Sequence, residues 1–102
     1  MPGPVVLESG RLILHGEMGF ASVLALLEQT RPLLLDGHGP LEIDLAEVGR
    51  VDSAGLALMI EWMRLAQQGG RELRFLNLPP QLMAIAQASD LEGVLPLHSG
   101  QA

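Results

Sequence analysis

The segment from Leu41 to Gly69 constrains the fold most, because its hydrophobic period changes partway along. In residues 41–45, apolar and acidic residues alternate, which predicts a strand with one buried face. From Ala54 to Gln68 the apolar residues recur at helical spacing, and Gly69 with its neighbouring glycine ends the pattern. A strand followed closely by a helix is the repeating unit of α/β folds.

The rest of the chain continues this alternation. We predict strands at residues 5–8, 11–15, 41–45 and 72–76, and helices at about 20–31, 54–68 and from residue 80 onward. Ser9-Gly10 is a turn signal, so the first two strands form an antiparallel hairpin. Helical crossovers favour parallel pairing of the later strands. The prediction is an α/β domain with a mixed sheet of about four to five strands, in the order β-β-α-β-α-β-α.

Two details of this prediction concern the first helix and the chain ends. Phe20, Val23, Leu24 and Leu27 share one helical face, and Pro32 predicts that the helix ends or kinks near residues 30–31. The 102 residues fit a single domain over 1–102, with 98–102 as a loose tail.

Charge and hydropathy exclude several classes of function. Twelve acidic residues against six basic ones give a net charge of −6, which disfavours binding to nucleic acid or to anionic lipid. No apolar stretch approaches the roughly 20 residues of a membrane-spanning helix, and the first residues lack the pattern of a signal peptide. We therefore expect a cytoplasmic protein without direct membrane insertion.

The start of the second predicted helix, Asp52-Ser53-Ala54-Gly55, is the candidate site. Asp and Ser cap helices because their side-chain oxygens accept hydrogen bonds from the unpaired amides of the first turn. The small residues Ala54 and Gly55 allow another surface to approach closely. The simpler alternative is that Asp52 or Ser53 is only a helix cap.

The same helix carries a second apolar stripe, although a helix lying on a sheet needs only one. Leu58, Trp62 and Leu65 form this stripe, roughly opposite the stripe that contains Leu56 and Met59. Either it packs under a neighbouring helix, or part of it contacts a partner, since Trp is enriched in interface hot spots. The sequence leaves both open, and a partly exposed Trp62 would favour the partner.

An enzyme is not expected. The histidines at 15, 38 and 98 lack the spacing of a metal site, and Ser53 has no evident histidine base. The chain has no lysine, so it has no P-loop, and no cysteine, so it has no thiolate ligands. We expect no catalytic residues, no metal and no cofactor.

Residues 51–58, Val-Asp-Ser-Ala-Gly-Leu-Ala-Leu, resemble the helix-opening segment of STAS domains, and of the MlaB branch in particular. Gly16-Glu17, Asp44-Leu45, Gly69 and Val94-Leu95-Pro96 match as well. The resemblance implies a small, non-catalytic subunit of an Mla-type ABC phospholipid transporter, which maintains outer-membrane lipid asymmetry. Such a subunit binds the ATPase subunit and lies in the cytoplasm, peripheral to the inner membrane. A hydroxyl residue needed for this role maps onto Ser53.

On this basis the predicted partner-binding residues are Asp52, Ser53, Ala54, Gly55, Leu58 and Trp62. The alternative within the STAS family is an anti-sigma factor antagonist. In such a protein, phosphorylation of a serine breaks the complex with the partner. Its usual acceptor position is Ala54 here, which argues against this alternative, although Ser53 remains a candidate acceptor. A weak homodimer of the isolated chain is also left open.

Overall fold

A computed structural model of the chain describes residues 5–96, so the predicted tail at 98–102 lies outside the described residues. In chain order the elements are β1 (Val5–Glu8), β2 (Arg11–Met18), α1 (Val23–Asp36), β3 (Leu41–Val51), α2 (Ser53–Gln68), β4 (Leu73–Leu76) and α3 (Pro80–Ala88). A single 3₁₀ turn, Glu92–Val94, follows. The predicted order β-β-α-β-α-β-α is confirmed.

The sheet is mixed, and its spatial order β1-β2-β3-β4 equals the chain order. The hairpin strands β1 and β2 are antiparallel, whereas β2 pairs with β3 and β3 with β4 in parallel. Helix α1 packs on α2, and α2 packs on α3, so the helices form one layer. Right-handed crossovers between neighbouring parallel strands place both connecting helices on the same face of a sheet.

The core lies between this helical layer and one face of the sheet. Leu41, Ile43 and Leu45 were predicted to face inward, and each is at most 1% exposed. The opposite face carries charged side chains, among them Arg11, whose guanidinium lies 3.2 Å from a carboxylate oxygen of Glu42. The acidic residues of the alternating pattern therefore mark the uncovered face.

Strands β2 and β3 are longer than the sequence predicted. The expected break at 16–19 and the expected connection at 46–50 are largely paired strand, with Gly16 opposite Val48 and Met18 opposite Val51. Two register irregularities interrupt this pairing, and Gly16 adopts φ +91° within it. The extension brings the ends of β2 and β3 together, which places residue 19 beside residue 52.

Helix α1 also differs from the prediction, because it begins at Val23 and runs through Pro32 to Asp36. Buried residues on both sides of the proline, Thr30 and Leu34, hold the helix against the rest of the domain. Pro32 itself is exposed, so the carbonyl that loses its amide partner lies on the water-facing side. The predicted end of the helix at residues 30–31 is therefore wrong.

Candidate partner-binding site at the start of helix α2

Asp52 joins two segments of the chain with one carboxylate. Its Oδ1 accepts a hydrogen bond from the Ala54 amide at 2.8 Å, which caps α2. Its Oδ2 accepts one from the Phe20 amide at 3.0 Å, which fixes the turn between β2 and α1. The bond from Phe20 and then the bond from Ala54 lower the pKa of Asp52, since both stabilise the anion.

The turn that contacts Asp52, residues 19–22, depends on Gly19 and Ser22. A Cβ on Gly19 would lie 2.7 Å from Oδ2 of Asp52, so only glycine lets the carboxylate approach this closely. The Ser22 hydroxyl accepts from the Gly19 amide at 3.0 Å and donates to the Glu17 carbonyl at 2.9 Å. These bonds order residues 19–22, next to the buried side chain of Met18 at the end of β2.

Ser53 is the first residue of α2, and its side chain is exposed. Within residues 5–96 its hydroxyl forms no hydrogen bond, because Asp52 provides the cap instead. The cap-only alternative therefore describes Asp52 and not Ser53. Ala54 is half-buried beside it. Asp52, Ser53 and Ala54 form the corner between β3 and α2. The Ser53 hydroxyl is free to donate or accept a hydrogen bond across an interface at this corner.

Gly55 serves the packing of the domain itself. It is buried, and a Cβ at this position would lie 2.5 Å from the carbonyl oxygen of Met18. The surface that approaches Gly55 is thus the end of β2, and we correct its assignment as a partner contact. A larger residue here would push α2 away from the sheet.

Trp62 and Leu58 also belong to the core, with 0% and 4% of their surfaces exposed. The indole Nε1 donates a 2.7 Å hydrogen bond to the Thr30 hydroxyl on α1, and the ring lies 6.2 Å from that of Phe75. The second apolar stripe of α2 therefore packs under α1, the alternative the sequence had left open. We correct the partner assignment of both residues, since a buried side chain cannot reach a partner.

Two exposed apolar residues beside the corner were missed from the sequence. Phe20 is 85% exposed and Leu24 is 74% exposed, although the helical pattern had grouped them with the half-buried Val23 and Leu27. Ser22, a residue type that caps helices, is a signal that Phe20 precedes the helix, whereas no comparable signal places Leu24 outside the core. The buried face of α1 is instead formed by Leu26, Thr30 and Leu34.

The other polar residues singled out from the sequence do not assemble into a site. Asp44 lies within β3, where its carboxylate accepts hydrogen bonds from the Ala46 amide and from Asn77. Within residues 5–96, no cluster of three or more His, Asp or Glu residues could hold a metal ion. Nor does this part of the chain contain a helix long and apolar enough to cross a membrane.

The fold and the motif at the start of α2 are those of a STAS domain. A family model described as "Mlab, STAS domain" matches residues 6–97. The chain belongs to this family of MlaB-like STAS domains, which confirms the resemblance seen in residues 51–58. STAS domains are generally non-catalytic.

Similar named proteins and solved structures include anti-sigma factor antagonists. Anti-sigma-B factor antagonists of Staphylococcus aureus strains are 25% identical over 85 residues, which cover 83% of this chain and 79% of theirs. A putative anti-sigma factor antagonist of Thermotoga maritima superposes with a TM-score of 0.75 at 13% identity, covering 92% of this chain and 83% of that one.

The phosphorylated form of the Bacillus cell fate determinant SpoIIAA superposes with a TM-score of 0.67 at 17% identity, covering 93% of this chain and 89% of its own. At these identities the solved structures establish the fold alone. They confirm an α/β STAS architecture with a mixed sheet.

Proposed function

We propose that the chain is a non-catalytic accessory subunit that binds and supports the ATPase subunit of an Mla-type ABC phospholipid transporter. In this role it contributes to outer-membrane lipid asymmetry and lies in the cytoplasm, peripheral to the inner membrane through the transporter complex. The observation that carries the proposal is the exposed Ser53 hydroxyl, which has no hydrogen-bond partner within residues 5–96. The family match to MlaB-like domains directs the choice of partner.

The proposed contact surface consists of Asp52, Ser53 and Ala54. A helix N-terminus carries a partial positive charge and amides that face away from the helix. Asp52 occupies the Ala54 amide with its carboxylate, so the hydroxyl of Ser53 is the polar group that remains for a partner. Because the corner is already ordered by Asp52, binding there does not require the loop to be fixed at a further entropic cost.

The test is co-purification of the ATPase with wild type and with Ser53→Glu. An added carboxylate at the first residue of a helix is compatible with the helix dipole, so the fold should persist. We expect the variant to bind at least about tenfold more weakly, because a buried unpaired charge at an interface costs several kcal/mol. The matched control is Gln68→Glu, which adds the same charge at the far end of α2 beside Arg64.

Equal recovery of the ATPase with Ser53→Glu and Gln68→Glu would refute the role of Ser53. Recovery of no ATPase or permease with the wild-type chain from native membranes would refute the proposed function as a whole.

A second candidate is an anti-sigma factor antagonist, which the names of the S. aureus relatives favour. In this chain Ala54 occupies the usual acceptor position, and Ser53 is the exposed hydroxyl beside it. Intact-mass measurement of protein from growing cells discriminates between the two functions. Stoichiometric phosphate on Ser53, together with capture of a kinase and not an ATPase, would favour the antagonist.

A further inference from the structure

The most exposed large apolar side chains of residues 5–96 are neighbours. Phe20, 85% exposed, lies in the turn before α1, and Leu24, 74% exposed, lies four residues later in its first turn. We call these two residues the Phe20–Leu24 patch. Single exposed apolar residues are common on protein surfaces, but two adjacent ones this exposed are characteristic of interaction sites.

The backbone at the start of the patch is ordered and is hydrogen-bonded to Asp52, next to Ser53. The Phe20 amide donates to the same Asp52 carboxylate that caps α2, and Ser22 ties the turn on its other side. An aromatic side chain held on an ordered backbone loses little entropy on binding, which is the property of an interface anchor. Through Asp52, these hydrogen bonds fix the backbone of Phe20 relative to that of Ser53.

The charges around the patch are mostly acidic. Glu17 precedes the turn, Asp52 contacts it, and Glu28 follows Leu24 by one helical turn, whereas the nearby cations along the chain are Arg50 and Arg31, which lies one turn beyond Glu28 on α1. A complementary surface would therefore be basic at its rim. A second copy of this chain would bring the same acidic groups face to face in a two-fold contact, which disfavours self-association here.

We propose that Phe20 and Leu24 insert into an apolar pocket of a partner protein whose rim carries Lys or Arg. The inference rests on the proposed function in one respect, because that function assigns this pocket to the ATPase subunit. It adds that the binding surface extends from α2 to the start of α1, and that an aromatic anchor dominates its affinity.

The experiment measures binding of the purified ATPase subunit to the full chain and to Phe20→Ala. We expect at least about a 30-fold loss of affinity, the effect of truncating an interface hot spot. The control is Val94→Ala, which removes a 58% exposed apolar side chain elsewhere and should change affinity by less than about twofold. Circular dichroism should show that both variants remain folded, since neither side chain is in the core.

A charge reversal tests the basic rim. Glu28→Arg should slow association about tenfold at low ionic strength and leave the unfolding transition unchanged. Gln81→Arg, which adds a positive charge at an exposed position on α3, is the control and should have no such effect. Association that is faster with Glu28→Arg would overturn the assigned charge of the partner's rim.

Two outcomes separate this inference from the proposed function. Wild-type binding with unchanged affinity of Phe20→Ala overturns the inference and leaves the proposed function standing. If the ATPase does not bind the wild-type chain, the inference is tested by photo-crosslinking in cells. For this experiment p-benzoyl-phenylalanine replaces Phe20. A crosslink mapped to an apolar site flanked by Lys or Arg on another protein supports the inference, whereas a crosslink to a second copy, or none, overturns it.

Discussion

The hydrogen bond between Trp62 and Thr30 offers a quantitative test of how α1 and α2 are held together. Both residues are 0% exposed, and the indole Nε1 lies 2.7 Å from the Thr30 hydroxyl. Thr30→Val keeps the shape of the side chain but removes the acceptor, which leaves a buried N–H without a partner. Such a group costs about 1–3 kcal/mol, so we expect the free energy of unfolding to fall by about 2 kcal/mol.

The hydroxyl of Thr30 also donates to the Leu26 carbonyl at 2.7 Å, but that carbonyl lies within the helix and keeps its backbone amide partner. The loss should therefore come from Trp62 alone. Urea unfolding followed by the fluorescence of Trp62, the only tryptophan, measures it directly. Thr30→Ser, which keeps the hydroxyl, is the control and should lose less.

A loss below about 0.5 kcal/mol for Thr30→Val would refute this reasoning, since it would mean that water or another group satisfies the indole. The variant should also retain its affinity for the partner, because Trp62 is now assigned to the core. If Thr30→Val weakened binding of the partner without changing the free energy of unfolding, Trp62 would be assigned to the interface instead.

Two further predictions follow from the corner. Gly55→Ala should lower the free energy of unfolding by about 1–3 kcal/mol, because the new Cβ would lie 2.5 Å from the Met18 carbonyl oxygen. Urea unfolding measures this loss. The control is Gly93→Ala, whose new Cβ would meet no atom within 4 Å. Asp52 has a folded pKa below its ordinary value of 3.8, so the stability it contributes is present above that value and is lost as the pH falls through the folded pKa. The stability difference between wild type and Asp52→Asn should therefore be constant at neutral pH and shrink in acid unfolding experiments below about pH 4; an unchanged difference down to pH 2 would contradict it.

The parts of the fold predicted from the sequence are those with strong local patterns. The alternation in residues 41–45 and the helical period of 54–68 located β3 and α2, and Gly69 ended the helix as expected. The extensions of β2 and β3 were missed because residues such as Gly16 and Gly49 have little strand propensity. The two extensions are strands because they pair with each other, with Gly16 opposite Val48, and no single segment of the sequence records this non-local interaction.

The candidate site was predicted unevenly for a similar reason. Asp52 and Ser53 were identifiable because helix capping is a local property of residue type. The helical wheel could show that α2 has two apolar stripes, but it could not show that α1 covers the second one, since this depends on the course of another helix. Phe20 was misplaced because α1 begins three residues later than predicted, so Phe20 lies in the preceding turn, where the helical wheel does not apply.

The separation between core and corner has a consequence for how this domain can evolve its binding. Trp62, Leu58 and Gly55 complete the packing of α2 without any contribution from a partner. Ser53 and Phe20 lie outside that packing, and they are connected to it through the backbone and the carboxylate of Asp52. Substitutions at Ser53 or Phe20 can therefore change the partner with little effect on stability, whereas a change at Asp52 alters both the helix cap and the position of Phe20. Asp52 is for this reason the residue at which stability and recognition are coupled most directly.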